Sequence, residues 1–294
     1  MEHEPEHVAV IGIGAMGHGM ATSALRTGIS TTVWNRSPGA ARDLEELGAT
    51  VAPTAADAAR SATLVVIMVT DADAVVSVLR DEGVLAALAP KAILIQMSTI
   101  GVAGIERVAA IVATERPDVT MLDAPVSGSR DPAELGQLTI FASGPLAVRP
   151  RVATLFDALG QRTIWVGDVG AGTRLKLVAN TWLAFAAEAV VASVALARRL
   201  GLETDRVLHA LEGNPLVSPW QEAKLHRLVE AEFSPQFALS LALKDVRLAE
   251  AAAGDQFEVL ACLADEWQHS VDLGLGHQDV TVVTRTLEEG PQVP

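Results

Sequence analysis

Short apolar runs alternate with amphipathic stretches over the first half of the chain. Helical periodicity marks the amphipathic stretches, as at Gly39–Leu47 and Val102–Ala113. This alternation predicts an α/β domain in which a doubly wound, mostly parallel Rossmann-type sheet carries helices on both faces. Gly136–Ser143 and Thr163–Val166 are candidates for edge strands. The predicted buried strands, all rich in valine, isoleucine or leucine, are Val8–Ile13, Thr31–Trp34, Leu64–Val69, Ala92–Gln96 and Thr120–Ala124.

The second half of the chain has only helical patterns. Thr173–Leu200 contains neither glycine nor proline, which predicts one long helix, and glycines and prolines separate the helical stretches after it. We therefore expect two domains. Residues 1–166 form the dinucleotide-binding domain, and residues 167–294 form an all-helical domain for substrate binding and dimerisation, joined to the first by the long helix.

The apolar part of the long helix, Trp182–Leu196, is compatible with a membrane span by length alone. However, Glu188 interrupts it, and Arg174, Lys176 and the pair Arg198–Arg199 flank it within the same helix. A buried or inter-subunit core helix is the better interpretation, so we expect no membrane partner.

The composition excludes several classes of protein. Half of the residues are hydrophobic, so the chain can bury a core and is not disordered. The net charge of −14 disfavours nucleic acids as partners, and an acidic substrate needs a local cation or backbone N–H groups. Cys262 is the only cysteine, and no cluster of histidine, cysteine and carboxylate predicts a metal. The acidic first residues do not resemble a signal peptide, so we expect a soluble, cytoplasmic protein.

A glycine-rich motif follows the first predicted strand and opens a helix. In the first domain, Gly12, Ile13, Gly14, Ala15, Met16 and Gly17 fit the pattern G-x-G-x-x-G. The first glycine permits a tight turn, the second allows close approach of a pyrophosphate, and the third allows close packing of helix on strand. The helix N-terminus supplies N–H groups to the anion. The motif therefore predicts a dinucleotide site, although glycine-rich turns can also serve packing alone.

The end of the second strand predicts which dinucleotide is preferred. NAD-selective sites place an Asp or Glu there to bind the ribose 2′-hydroxyl, whereas this chain has Asn35, Arg36 and Ser37. Arg36 can pair with a 2′-phosphate and stack on the adenine, and the two neighbours can donate further hydrogen bonds. The pattern favours NADP(H), against the alternative of an ordinary loop arginine.

Lys176 and Asn180 lie one turn apart on one face of the long helix, just after Gly170 and Gly172. Reduction of a carbonyl by hydride needs a proton for the oxygen, and an ammonium whose pKa is lowered by burial can supply it. Asn180 can orient the lysine or the substrate oxygen. A solvent-exposed lysine is the alternative, and spacing alone leaves both interpretations open.

Ser127, Gly128 and Ser129 follow the fifth strand, at the sheet edge where open parallel sheets bind ligands. Their N–H and hydroxyl groups can bind a carboxylate. A simple connecting turn is the alternative interpretation.

These motifs together resemble the β-hydroxyacid dehydrogenase family, which includes 3-hydroxyisobutyrate dehydrogenases and glyoxylate/succinic semialdehyde reductases. The resemblance covers nearly the whole chain. It rests on Gly12–Met20, Ser98–Thr99, Asp123–Ser129, Pro132–Ala142, Gly170–Asn180 and Phe237–Leu248.

The resemblance implies roles for particular residues. Lys176 matches the catalytic lysine of the family, and Asn180 matches the asparagine one turn later. Ser127, Gly128 and Ser129 match the turn that receives the substrate carboxylate.

Other positions match the cofactor and pocket residues of the family. Phe237 and Asp245 match residues that close over the site from the helical domain, and Asn35–Arg36 matches the NADP-using members. Because the long helix contributes to the subunit interface in the family, a homodimer or homotetramer is implied. The positions that match the nicotinamide side are Val69, Thr70, Thr99 and Lys244.

The chain departs from the family at several positions. Val69–Asp71 stands where a proline is usual, and Ala179 replaces the first of two asparagines. Trp182 and Trp220 are bulkier than expected near a substrate pocket, although both are also compatible with core positions. These differences affect the identity of the substrate more than the chemistry.

The sequence thus predicts NADP-dependent hydride transfer between nicotinamide and a small β-hydroxy acid or aldehyde acid, with Lys176 as general acid and base. The acid and the physiological direction stay open. One alternative is imine reduction, since imine reductases look built on the same fold as this family. They generally replace the catalytic lysine, however, and this chain keeps it. The other alternative is a non-catalytic protein that only binds the cofactor.

Overall fold

The computed structural model describes residues 6–37, 39–254 and 257–289. The chain divides into two compact units, Met1–Lys176 and Leu177–Pro294. This division falls inside the long helix, whereas the boundary predicted from the sequence, between residues 166 and 167, precedes that helix.

The first unit is built on a six-stranded sheet of parallel strands in the order β3-β2-β1-β4-β5-β6. The predicted Rossmann-type fold is thereby confirmed, and β3 is the strand that the sequence pattern did not show. The strands are β1 (Val8–Ile11), β2 (Thr31–Trp34), β3 (Thr50–Val51), β4 (Leu64–Ile67), β5 (Ile93–Gln96) and β6 (Thr120–Asp123).

Helices cover both faces of this sheet. Alternate residues of β1 enter opposite cores: Val8 and Val10 pack on one face, and Ala9 and Ile11 on the other. Burial of both faces explains why the strands are continuous apolar runs. The helices of this unit are α1 (Ala15–Arg26), α2 (Arg42–Glu46), α3 (Ala55–Arg60), α4 (Ala72–Arg80), α5 (Val84–Ala87), α6 (Gly101–Glu115), α7 (Arg130–Glu134) and α8 (Arg149–Leu159).

A second, three-stranded sheet completes the first unit. It consists of β7 (Val126–Ser127), β8 (Leu138–Ala142) and β9 (Gly160–Trp165), with β7 antiparallel and β9 parallel to β8. The two segments expected as edge strands of the main sheet therefore form strands, but they pair with each other in this separate sheet.

The long helix α9 (Ala171–Arg199) begins in the first unit and continues into the second. By length and mean hydropathy, 1.6 over its most apolar window, it is long and apolar enough to span a membrane, and 39% of that window is buried. In the second unit, its Val190 and Val194 pack with Leu225 and Leu228 in an apolar core.

The rest of the second unit is helical in the described residues, as predicted. A π-helical turn (Val271–Leu275) and a 3-10 turn (Val280–Val282) precede the last helix. The helices after α9 are α10 (Thr204–Leu211), α11 (Pro219–Val229), α12 (Leu239–Ala253), α13 (Glu258–Ser270) and α14 (Val283–Glu289).

Candidate active site

The glycine loop between β1 and α1 is packed at two of its glycines and open at the third. Gly12 has a φ of +91°, and a Cβ there would lie 2.4 Å from the Met68 carbonyl oxygen. A Cβ on Gly17 would lie 2.0 Å from the Gly12 oxygen, so neither position accepts a side chain. Gly14 is exposed and has nothing within 4 Å of its Cβ position. The backbone at Gly14 is therefore accessible to a ligand, as a pyrophosphate site requires.

The first turn of α1 faces an open groove beside this loop. Gly14 is the N-cap of the helix and provides no side chain to cap its N–H groups. His18, in the same turn, has its Nε2 2.7 Å from the Asp43 carboxylate, so it is paired rather than simply solvated. Free N–H groups at a helix N-terminus suit an anion. The groove is lined by Ile13, Gly14, Ala15, His18, Asp43 and Arg130.

Two of the predicted cofactor residues contribute backbone to the loop and side chain to the core. Ile13 is buried, and Met16 packs against the same core cluster as Val8 and Val10. At these two positions we therefore expect the ligand to contact main-chain atoms and not side chains.

The segment after β2 is fastened to the glycine loop by Asn35. Its Oδ1 accepts a hydrogen bond from the Ile13 N–H at 3.2 Å, and its Nδ2 donates to the Ser37 carbonyl oxygen at 3.4 Å. Arg36 and Ser37 are both exposed. Asn35 thus joins the two loops, a role that the sequence did not reveal, and the two following residues remain available to a ligand.

The loops after β4 and β5 are joined at the same edge of the sheet. The N–H of Val69 donates to Ser98 Oγ at 2.8 Å, and the buried Gln96 holds the Ser98 backbone through both of its side-chain polar atoms, at 2.6 and 2.8 Å. Val69 and Thr99 are half-buried, and Thr70 is exposed. Since carboxyl ends of parallel strands meet at one edge, these residues share that edge with the glycine loop.

The Ser127–Ser129 turn is held close to α1 by small residues. Gly128 has a φ of +137°, and a Cβ there would lie 2.6 Å from Leu138 Cδ2. Helix α7, which follows the turn, packs against α1 so closely that a Cβ on Gly19 would lie 2.8 Å from that of Ala133. Its first residue, Arg130, lines the groove beside Gly14. The first unit thus brings the predicted carboxylate turn next to the predicted dinucleotide loop.

Lys176 is near the start of α9 and is buried, with 8% of its surface exposed. The helix can begin here because Gly172 lies against the second sheet: a Cβ at that position would be 2.2 Å from the Phe141 carbonyl oxygen. The alternative of a solvent-exposed lysine is therefore wrong.

In the second unit, Asn180 and Asp245 form a buried pair. Asn180 Nδ2 donates to Asp245 Oδ2 at 2.5 Å, and Lys244 Nζ lies 3.1 Å from Asp245 Oδ1. The pair contributes to a cavity of about 10 Å³, close to the volume that holds one water-sized group. Apart from the pair, the cavity is lined by Leu183, Ala184, Ala187, Trp220, Phe237, Ala242, Trp267 and Val280.

The two tryptophans that depart from the family pattern have different surroundings. Trp220 lines this cavity and carries the Lys224 ammonium 5.3 Å from its ring centroid. Trp182 is 81% exposed on α9 within the second unit, so it is neither a core residue nor part of the cavity lining there.

The segment that carries Phe237 is fixed by Asp279, which also caps the 3-10 turn Val280–Val282. In this cap, the Asp279 side chain accepts from the Thr281 N–H. In addition, Asp279 Oδ2 accepts the Phe237 N–H at 3.2 Å, and both carboxylate oxygens lie 2.8 Å from Nζ of the buried Lys224. Burial would raise the pKa of Asp279, but the Lys224 ammonium and the backbone N–H donors together outweigh burial and hold that pKa below its usual range.

Family models match both parts of the chain. One described as the NAD binding domain of 6-phosphogluconate dehydrogenase matches residues 7–167, and one described as the NAD-binding of NADP-dependent 3-hydroxyisobutyrate dehydrogenase matches residues 170–287. The chain belongs to the β-hydroxyacid dehydrogenase family. It is therefore an NAD(P)-dependent oxidoreductase.

Relatives in this family align over nearly the full length. Glyoxylate/succinic semialdehyde reductase 1 of Arabidopsis thaliana is 31% identical, over 96% of this chain and 98% of its own. L-threonate dehydrogenase of Escherichia coli is also 31% identical, over 95% and 94%. The crystal structure of 3-hydroxyisobutyrate dehydrogenase from Salmonella typhimurium is similar with a TM-score of 0.85 at 28% identity, covering 96% of this chain and 99% of that one.

Membership of the β-hydroxyacid dehydrogenase family agrees with the geometry of the glycine loop. The open Cβ position at Gly14 and the uncapped first turn of α1 fit a bound dinucleotide. Of the predicted site residues, Lys176 belongs to the first unit with the dinucleotide and carboxylate loops. The predicted residues of the second unit are Asn180, Phe237, Lys244 and Asp245.

Proposed function

We propose that this β-hydroxyacid dehydrogenase is an NADP-dependent enzyme that interconverts a small β-hydroxy acid and its aldehyde acid, with Lys176 as general acid and base. The observation that carries the proposal is Lys176, a buried lysine in the first turns of α9. Burying an ammonium costs free energy, and buried titratable groups near a predicted ligand site mark functional sites.

The other residues of the proposed site have separate roles in binding and proton transfer. When bound, the nicotinamide supplies or accepts the hydride. Lys176 Nζ donates a proton to the carbonyl oxygen in reduction and removes it from the hydroxyl in oxidation. Asn180, whose amide is held by Asp245, orients the reacting oxygen. Ser127 and Ser129 bind the substrate carboxylate, which the acidic protein cannot attract by its overall charge.

The preference for NADP over NAD rests on the segment after β2. Arg36 and Ser37 are exposed there, beside a loop that Asn35 fixes to the glycine motif. No carboxylate occupies residues 35–37 to bind a 2′-hydroxyl or to repel a 2′-phosphate. The guanidinium of Arg36 suits bidentate recognition of that phosphate.

The names of the relatives suggest the substrates to test. They include a glyoxylate/succinic semialdehyde reductase and an L-threonate dehydrogenase, so the substrate of this chain is a small acid with a hydroxyl or carbonyl near its carboxylate. We also propose a cytoplasmic homodimer or homotetramer, since exposed apolar residues such as Trp182 and Leu196 on α9 suit a subunit interface.

The test of the catalytic proposal measures NADPH oxidation by wild type and by Lys176→Ala. The substrates are glyoxylate and the semialdehydes of succinate, methylmalonate and tartronate. We expect wild type to reduce at least one acid, and Lys176→Ala to lose about 100-fold or more in kcat, the usual range for a general acid. The Kd for NADPH should stay within about twofold, since the lysine acts on the substrate oxygen. Equal turnover by both proteins would refute the role of Lys176, and turnover of cyclic imines alone would refute the substrate class.

The test of the cofactor proposal is Arg36→Asp. This change removes the cation and places a carboxylate where NAD-selective sites have one. We expect the ratio of kcat/KM for NADPH over NADH to fall by about 100-fold, corresponding to roughly 3 kcal/mol. Arg60→Asp, at another exposed arginine of the same unit, is the control and should leave the ratio unchanged. An unchanged ratio in Arg36→Asp would refute the preference.

A further inference from the structure

Asp123, the last residue of β6, is fully buried and holds the first turn of α9. Its Oδ2 accepts hydrogen bonds from the N–H groups of Gly170 and Thr173, at 3.1 and 2.8 Å. Its Oδ1 accepts from the Thr173 hydroxyl at 2.8 Å. One carboxylate thus fixes the end of a sheet strand to the beginning of the helix that carries Lys176.

Ser143 strengthens the same junction from the second sheet. Its Oγ accepts the Gly172 N–H at 3.0 Å and lies 3.0 Å from the Asp123 carbonyl oxygen. The two backbones also pair, with Asp123 N donating to the Ser143 oxygen at 3.0 Å and Ser143 N to the Asp123 oxygen at 2.8 Å. The helix start is therefore held by both sheets of the unit.

This anchor lies one helical turn before Lys176. Thr173 and Lys176 are three residues apart, so they share a face of α9. Side chains on a helix lean towards its N-terminus, which directs Lys176 back over the turn that Asp123 holds. A shift of that turn moves the lysine with it.

Asp123 lies only four residues before Ser127, so a direct contact with substrate is the alternative role. The structure argues against it. Asp123 has no exposed surface, and both of its carboxylate oxygens accept from Gly170 or Thr173. A substrate cannot reach it without breaking the helix start.

We propose that Asp123, together with Ser143 and the Thr173 hydroxyl, is a positioning residue that fixes Lys176 for proton transfer. This inference rests on the proposed catalytic role of Lys176. It assigns the start of α9 a part in the reaction, because a displacement of about 1 Å at a reacting group can reduce turnover about 100-fold.

The experiment compares Thr173→Val with Thr173→Ser. Valine keeps the shape and the backbone hydrogen bond but removes the hydroxyl that binds Asp123 Oδ1, whereas serine retains it. We expect kcat to fall by about 10-fold in Thr173→Val, within the range for a misplaced catalytic group, and to remain within about twofold in Thr173→Ser. KM for the acid and Kd for NADPH should change little in both.

Asp123→Asn provides the second measurement, combined with Lys176→Ala. If Asp123 acts through Lys176, Asp123→Asn lowers kcat in the wild-type background but not the residual turnover of Lys176→Ala. Circular dichroism and Tm report folding separately. If Asp123→Asn does not fold, the comparison of Thr173→Val with Thr173→Ser still tests the positioning role.

The outcomes separate the two proposals. Wild-type kcat in Thr173→Val, alongside loss of turnover in Lys176→Ala, would overturn the positioning role alone. An equal loss from Asp123→Asn with and without Lys176 would also overturn it, since the effect would then be purely structural. Full turnover by Lys176→Ala would overturn the catalytic proposal and the positioning role with it.

Discussion

Each unit of the protein buries an aspartate that fastens a loop to a helix, but the two aspartates have different partners. In the second unit, Asp279 forms an ion pair with the buried ammonium of Lys224 and also accepts hydrogen bonds from backbone N–H groups. In the first unit, the described donors to Asp123 are all neutral: the Thr173 hydroxyl, backbone N–H groups and Ser143.

The difference appears in the direction of the pKa shifts. Burial raises the pKa of Asp123, and its neutral donors only reduce that increase. At Asp279 burial acts in the same direction, but the Lys224 ammonium and the backbone N–H groups of Phe237 and Gln236 together outweigh it and lower the pKa. A helix start can thus hold a buried carboxylate without a cation, whereas the Phe237 segment is held by a charge pair whose members depend on each other.

The largest effect is expected from breaking the charge pair. Lys224→Met leaves Asp279 as a buried charge without its cation, which costs about 3–5 kcal/mol of unfolding free energy. Arg60→Met is the control, since it breaks only an exposed pair with Asp57 and costs about 0–1 kcal/mol. Urea unfolding measures both. Similar midpoints for the two variants would show that the buried pair is no stronger than a surface pair, and the comparison between the units would fail.

A smaller effect is expected from crowding the neutral anchor. Gly172→Ala places a Cβ 2.2 Å from the Phe141 carbonyl oxygen, and overpacking of this kind costs about 1–3 kcal/mol. Gly14→Ala is the matched control, because nothing lies within 4 Å of its Cβ position and its φ is −65°. We expect Gly14→Ala to leave the urea midpoint unchanged and to raise the Kd for NADPH. Destabilisation by Gly14→Ala as large as by Gly172→Ala would contradict the description of an open loop.

The smallest effect concerns pH and two carboxyl groups of the second unit, Glu188 and Glu266, which have no cationic partner among the described residues. Burial, with a smaller contribution from Glu266, raises the pKa of Glu188 from 4.5 to about 7, although Glu188 Oε2 accepts a hydrogen bond from Trp267 Nε1 at 2.9 Å. Between pH 4.5 and 7 the folded protein holds a proton that the unfolded chain releases, so the unfolding free energy falls as the pH rises through this window.

Glu188→Gln removes that titration and tests its sign. We expect the urea midpoint of the variant to change less between pH 5 and pH 8 than that of wild type, with the variant relatively more stable at pH 8. Midpoints of the two proteins that run parallel across this range would show that Glu188 has an ordinary pKa. Burial would then not be enough to raise the pKa of a carboxyl group that has only a neutral donor, and the comparison with Asp123 would lose its support.

The sequence predicted the helices and strands that depend on residues close together in the chain. Continuous apolar runs predicted five strands of the main sheet, and the absence of glycine and proline predicted α9. Strand β3, Thr50–Val51, escaped detection because it is short and exposed, so it lacks the apolar signal of a buried strand. The glycine loop was recognised from the spacing of its glycines, because each position of the motif has its own steric requirement.

The anchors could not be predicted, because their partners are distant along the chain. Lys224 and Asp279 are separated by 55 residues, and Asp123 and Thr173 by 50. No period or spacing relates such residues, and a lysine in a helix is usually exposed. The hydrogen bond by which Asn35 joins two loops could not be predicted either, because the Ile13 N–H comes next to Asn35 only when β1 and β2 pair. Cofactor binding by Asn35 stays a prediction.

The exposed loop after β2 has a consequence for how such an enzyme evolves. Arg36 and Ser37 are exposed, whereas Asn35 binds the glycine loop through its side chain. Mutations at residues 36 and 37 therefore carry little penalty in folding, while one at residue 35 disturbs the neighbouring turn. Under the role proposed for Arg36, substitutions at the surface would be enough to exchange one dinucleotide for the other, with the sheet and the glycine loop unchanged.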